Sequence, residues 1–74
     1  MKFVRQDKER PVTSNDVYDV VNKYNTITGT LYYRLDLRTF VFVQRTDCKS
    51  IYYTLNDLSN LYTKIAELNK ALRN

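Results

Sequence analysis

The sequence predicts a small α+β domain: an antiparallel three-stranded sheet with an N-terminal and a C-terminal helix (βαβββα or αβββα). Two segments repeat apolar residues at helical spacing. In the stretch between them, apolar and polar residues alternate, as is typical of strands. The length of 74 residues allows one domain, 1–74. Four of the seven tyrosines form two adjacent pairs, Tyr32-Tyr33 and Tyr52-Tyr53. Because successive side chains of a strand point to opposite faces, each pair is expected to place one ring in the core and one outside.

The N-terminal segment, residues 1–12, is predicted to be either a short edge strand at 2–6 or a flexible arm. Four cationic and two acidic side chains surround Phe3 and Val4. Pro11 disfavours a helix immediately before it.

A first helix is predicted to begin at Thr13. Thr13 and Asp16 have the spacing of a capping box, with Ser14 as the alternative cap. One helical face would consist of Val17, Val20, Val21 and Tyr24. Asn25 and the threonine-rich stretch up to Gly29 would end this helix.

Residues 30–45 are predicted to form two strands, because sixteen residues exceed the usual strand length of about five or six. The break is expected near 36–39, and a single long bent strand is the alternative. The polar stretch 46–50 indicates a second turn, and a third strand would follow at 51–54.

The C-terminal helix is predicted to begin at Thr54, where Asp57 repeats the spacing seen at Thr13. The apolar seam behind it consists of Leu58, Leu61, Ile65, Leu68 and Leu72. This seam covers about two heptads, whereas coiled coils need three or four, so the favoured interpretation is a helix packed on the sheet. The alternative is a short helix pair between two copies of the chain. Because so small a domain buries a limited core, a homodimer is also expected.

The composition argues against an enzyme. Histidine is absent, so Ser-His-Asp and Cys-His hydrolysis are excluded. Cys48 is the only cysteine, which rules out an internal disulfide and makes a zinc site improbable. Gly29 alone cannot build a phosphate-binding loop. We therefore predict no catalytic residue, cofactor or metal, and we interpret Cys48 as an unreactive thiol in a polar turn.

The protein is expected to be cytoplasmic, without a membrane partner. No apolar run approaches the ~18 residues of a membrane helix, and the first residues lack the apolar region of a signal peptide. The lone cysteine is typical of a reducing compartment. A net charge of +4 and a pI near 9.3 suit either a nucleic-acid-binding domain or an ordinary soluble one.

The outer face of the strands is the candidate binding site. If Tyr33, Leu35, Val41 and Val43 faced the helices, the opposite face would display basic and aromatic side chains together. The predicted partner-binding residues are Tyr32, Arg34, Arg38, Phe40 and Phe42. Exposed aromatic patches mark interaction sites. The alternative is that a helix covers each face and the rings all belong to the core.

The sequence therefore predicts a small non-enzymatic protein, regulatory or inhibitory, that binds a host or viral protein. Its richness in Asn, Tyr, Lys and Thr is typical of small proteins of phages and mobile elements. The alternative is a basic nucleic-acid-binding domain that uses a Tyr/Arg strand face. That alternative is weaker, because Asp36 lies among the basic residues and no aromatic RNA-binding signature is present.

Overall fold

The computed structural model describes residues 1–5, 11–45 and 52–73. Four strands are followed by one helix: β1 (Lys2–Arg5), β2 (Val17–Val21), β3 (Ile27–Arg34), β4 (Thr39–Gln44) and α1 (Leu55–Arg73). The strands pair antiparallel in the order β1-β2-β3-β4. The prediction of an α+β fold is confirmed, whereas the three-stranded sheet and the N-terminal helix are wrong.

The segment predicted as the first helix forms β2 instead. Its three valines are β-branched and fit a pleated strand better than a helix. The carboxylate of Asp16 accepts hydrogen bonds from the Thr13 amide (3.0 Å) and hydroxyl (3.1 Å), and the Asp16 amide donates to the Thr13 carbonyl (3.2 Å). Arg5 also lies 3.3 Å from this buried carboxylate. The Thr-x-x-Asp spacing therefore closes a turn here.

The second Thr-x-x-Asp segment does begin a helix, as predicted. The Thr54 amide donates to Asp57 Oδ2 at 3.0 Å, and the Asp57 amide donates to Thr54 Oγ1 at 3.1 Å. This reciprocal pair is a capping box, which satisfies two amides at the start of α1. Tyr52 to Thr54 are not in a strand, and Ile51 lies outside the described residues, so the strand predicted at 51–54 is not observed in the described part.

The edge strand predicted at 2–6 is confirmed over Lys2–Arg5, and the break predicted near 36–39 is confirmed as a turn over 35–38. The polar stretch 46–50, which includes Cys48, lies outside the described residues.

The core lies between α1 and one face of the sheet. Its buried members are Tyr18, Val20, Leu31, Phe40, Leu61 and Leu68. Ile65 and Leu72 are partly buried against them, so the prediction that the leucine seam packs on the sheet is confirmed. Leu58, the first member of the seam, is exposed instead.

Hydrogen bonds and cation–ring contacts add to the apolar packing of α1 on the sheet. At one side, the Phe40 amide donates to Asn69 Oδ1 at 3.0 Å, and Asn69 Nδ2 donates to Thr39 Oγ1 at 2.8 Å. At the other, Lys64 Nζ lies 5.7 Å and 5.4 Å from the ring centres of Phe3 and Tyr18. The helix therefore reaches both edges of the sheet.

The length of the β3–β4 turn determines which side chains share a face. Arg34 pairs with Thr39, so four residues separate the strands. Because the number of turn residues is even, each odd-numbered residue of β3 pairs with an even-numbered residue of β4. The two paired side chains lie on the same face of the sheet. Tyr33 therefore lies opposite Phe40 on the α1 side of the sheet. The expectation that Phe40 and Phe42 point away from the helix is wrong for this reason.

Candidate functional site

We call the sheet face opposite α1 the open face. Its residues alternate along each strand with residues that pack toward the helix, and the strand register aligns them across the sheet. They are Val4, Val17, Asp19, Thr30, Tyr32, Arg34, Val41 and Val43.

Tyr32 lies at the centre of the open face. It is aligned with Val17 on β2 and with Val41 on β4, so one tyrosine and two valines form a row across three strands. The next row consists of Val4, Asp19, Thr30 and Val43, one from each strand, and about half of the Val4 and Val43 side chains is exposed. The open face therefore combines an apolar row around Tyr32 with a row that contains one carboxylate.

Arg34 lies two residues beyond Tyr32, at the end of the same strand. Its guanidinium binds Asp36 through two hydrogen bonds, Nε to Oδ1 at 2.9 Å and NH2 to Oδ2 at 2.6 Å. The pKa of Arg34 lies above its ordinary value because of the hydrogen bond to Asp36 and the attraction of its charge, with a smaller contribution from Tyr32. The pKa of Asp36 is lowered, chiefly by the same hydrogen bond. The pair fixes the guanidinium at the rim of the open face.

The turn that joins β3 and β4 exposes two leucines and an arginine. Leu35 and Leu37 are both exposed, and the Leu37 amide donates to the Arg34 carbonyl at 3.2 Å. Arg38 has a φ of 55°, a left-handed conformation that costs a residue with a side chain roughly 1 kcal/mol or more. Asn25, in the β2–β3 turn, also has a positive φ, of 65°, so this conformation is a feature of both turns. We call residues 35–38 the hairpin tip.

The structure brings three of the five predicted binding residues together and separates the other two. Tyr32 and Arg34 lie on the open face, and Arg38 lies at the tip of the same hairpin. Phe40 is 1% exposed and packs edge-to-face on Tyr33 in the core. Phe42 is partly buried on the α1 side, where it makes the same kind of contact with Tyr53.

Sequence reasoning missed the valines of the open face and the exposed leucines of the hairpin tip. Val41, Val43 and Leu35 were expected on the side of the helices, whereas Val43 and Leu35 are exposed. Alternation shows which residues of one strand share a face. Whether a face of β3 matches the odd or the even residues of β4 depends on the number of residues in the turn. A turn of odd length would have placed Val41 and Val43 against the helix.

The described side chains form no metal-binding cluster, since no three of His, Cys, Asp and Glu among them lie close enough together to hold a metal ion. Within residues 52–73, α1 is too polar to cross a membrane, and the described chain contains no other long helix. The chain matches no protein-family model, no curated protein and no solved structure.

Proposed function

We propose that this domain acts without catalysis, as a small regulatory or inhibitory protein that binds another protein through the open face and the hairpin tip. The observation that supports this most is the row formed by Tyr32, Val17 and Val41, with Arg34 held at its rim. Tyrosine and arginine are enriched among the residues that contribute most to binding at interfaces. The partner would be a host or viral protein, in accordance with the phage-like composition.

The position of the aromatic side chains favours a protein partner over a nucleic acid. A sheet that binds single-stranded nucleic acid stacks bases on several exposed rings and contacts phosphates with free cations. Here Tyr32 is on the open face, but Tyr18, Tyr33 and Phe40 pack on the α1 side. The charge of Arg34 is already compensated by Asp36. The net charge of +4 is what supports the nucleic-acid alternative.

The arrangement of the rim also supports binding. Arg34 forms two hydrogen bonds with Asp36, and the Leu37 amide closes the turn. The guanidinium is therefore positioned beside Tyr32 at the end of the same strand.

The experiment compares two tagged double variants as baits in a nuclease-treated extract of a candidate host. Tyr32→Ala/Arg34→Ala removes the centre and the rim of the open face. The matched control is Tyr24→Ala/Lys23→Ala, which removes another tyrosine and cation, in the β2–β3 turn, where Lys23 Nζ lies 5.1 Å from the ring centre of Tyr24. A captured protein is then purified, and its affinity for each bait is measured.

We expect the open-face variant to bind at least about 30-fold more weakly than the wild type, as loss of a hot spot predicts, and the control to bind within about threefold. Both variants should melt close to the wild type, since exposed substitutions change stability by about 0.5 kcal/mol. A folded open-face variant with wild-type affinity would overturn the proposal. Tight oligonucleotide binding that falls steeply with salt, and that fails in the open-face variant, would establish the alternative.

A further inference from the structure

The last strand of the sheet has a sequence that is prone to pair with copies of itself. β1 and β4 are the outer strands of the described sheet. β1 contains Lys2 and Arg5, and charged side chains on an edge strand oppose the addition of another strand. The six residues of β4 contain no charge, no proline and no glycine, and all but Gln44 are aromatic or β-branched. Short segments of this composition are typical of strands that associate between chains.

The backbone groups that face outward from β4 belong to its even-numbered residues. In an antiparallel ladder, the hydrogen-bonding groups of successive residues point alternately to the two sides of a strand. The Phe40 amide donates outward, to Asn69 Oδ1 at 3.0 Å, whereas the Arg45 amide donates inward, to the Thr28 carbonyl at 2.9 Å. The amides and carbonyls along the outer edge of β4 are therefore those of Phe40, Phe42 and Gln44.

Two side chains satisfy both outward backbone groups of Phe40. Asn69 Oδ1 accepts from the Phe40 amide, and Asn69 Nδ2 donates to Thr39 Oγ1 at 2.8 Å. The Thr39 hydroxyl in turn donates to the Phe40 carbonyl at 3.1 Å. A neighbouring strand would supply one acceptor and one donor at the same place. The side chains of Asn69 and Thr39, which we call the edge clamp, therefore replace the hydrogen bonds of a further strand at Phe40.

We propose that the edge clamp prevents β4 from pairing with β4 of a second copy of this chain. The segment is compatible with its own copy. Antiparallel pairing centred on Phe42 would place Phe40 of each copy opposite Gln44 of the other, and it would bring no charged side chains of β4 together. Such pairing needs the amide and the carbonyl of Phe40, and the clamp occupies both.

The edge clamp depends on the packing of α1. Asn69 follows Leu68, which is buried in the core, and precedes Leu72, which packs against the core. The same contacts that hold this end of the helix on the sheet therefore position the Asn69 amide at the edge of β4. Lifting the end of the helix would release the outward groups of Phe40.

Sedimentation velocity of the full chain, from about 1 to about 500 µM and well below the melting temperature, measures the association. The test variant is Asn69→Ala, which removes both the acceptor and the donor that the helix supplies. The matched control is Asn60→Ala, at another partly buried asparagine of α1. Melting curves show whether each variant is folded. Thr39→Val removes the hydroxyl of the clamp alone, and it takes the place of Asn69→Ala if that variant does not remain folded.

A second pair of variants locates the contact on β4. Val43 and Val4 lie in the same row of the sheet, on β4 and β1, and are 45% and 48% exposed. Asn69→Ala/Val43→Lys places a charge on β4, which opposes the addition of a strand there. Asn69→Ala/Val4→Lys adds the same charge to the other outer strand.

We expect Asn69→Ala to self-associate at least about tenfold more tightly than the wild type, and Asn60→Ala to match the wild type. The lysine on β4 should reverse this gain, whereas the lysine on β1 should leave most of it. Amide hydrogen exchange gives an independent measurement. The Phe40 amide should exchange faster in dilute Asn69→Ala than in the wild type, and it should become protected as the concentration of the variant rises.

Two results would overturn the inference. One is a folded clamp variant that associates no more tightly than the wild type at any concentration. The other is equal suppression of the association by the lysines on β1 and β4, because the contact would then not lie at the β4 edge.

Discussion

Replacing Gly29 by alanine should strongly destabilise the sheet. Gly29 is buried in β3, where it pairs with Val20 on β2 and Gln44 on β4. A Cβ atom at Gly29 would lie 2.7 and 2.8 Å from two carbons of the Phe42 ring and closer still to the carbonyl oxygen of Val43. Real Cβ atoms almost never approach other heavy atoms this closely.

The cost follows from what would have to move. The Phe42 ring can rotate, but it already packs on Tyr53 at a centroid distance of 5.8 Å. The Val43 carbonyl belongs to the backbone of β4 opposite Thr30, and moving it disturbs the β3–β4 ladder. Overpacking of a core typically costs ~1–3 kcal/mol, and the backbone contact places Gly29→Ala near the upper end. At about 4–8 °C per kcal/mol for a small domain, the melting temperature should fall by at least about 10 °C.

Thermal and urea unfolding, followed by circular dichroism, measure this effect. Thr30→Ala is the control, because it changes the neighbouring residue on the open face without adding an atom. A melting temperature of Gly29→Ala within about 3 °C of the wild type would refute the close approach of β4 to β3 at Gly29.

Four further predictions concern the core, the hairpin tip and the helix start. Leu68→Ala should lose ~2–5 kcal/mol of stability, a large part of the roughly 4–11 kcal/mol available to 74 residues, and a urea midpoint equal to the wild type's would contradict its burial. Arg38→Gly should melt higher than the wild type, and Arg38→Val lower by at least about 1 kcal/mol, because a β-branched residue fits a φ of 55° poorly; the opposite order would rule out the left-handed turn. Thr54→Ala should cost about 1 kcal/mol in the same assay, a loss that Thr63→Ala, in the exposed helix interior, should not reproduce. The pKa of Asp57 is lowered, chiefly by the Thr54 amide, so its contribution is complete above the ordinary value of 3.8 and is lost as the pH falls through the lowered pKa. In Asp57→Asn, the free energy of unfolding should therefore fall less steeply as the pH drops below 3.8. A pH profile identical to that of the wild type would exclude the capping role.

The candidate site could be predicted only in part, because strand alternation assigns faces within one strand and not between strands. Alternation correctly placed Tyr32 and Arg34 opposite Tyr33. It could not relate them to Phe40, whose face depends on the four-residue turn. Three of the predicted binding residues remain near one another on the β3–β4 hairpin, and their role in binding stays a prediction.

The sequence by itself determined the features that depend on neighbouring residues along the chain. These are the capping box at Thr54, the helical spacing of the leucine seam behind it, the interruption of the strand region at 35–38 and the absence of histidine chemistry. Each results from interactions within a few residues. The Thr-x-x-Asp spacing is nevertheless not sufficient by itself, because at Thr13 it closes a turn instead of beginning a helix.

Only the tertiary structure decided the fate of the segment after Thr13. Its apolar spacing fits one face of a helix, but the same valines also fit a strand, and a short segment of this kind is ambiguous by period alone. The segment becomes β2 because β1 and β3 pair with it on both sides and supply its backbone hydrogen bonds. The same long-range pairing buries Phe40 and leaves Tyr32 on the open face, since the register between strands is a property of the whole sheet.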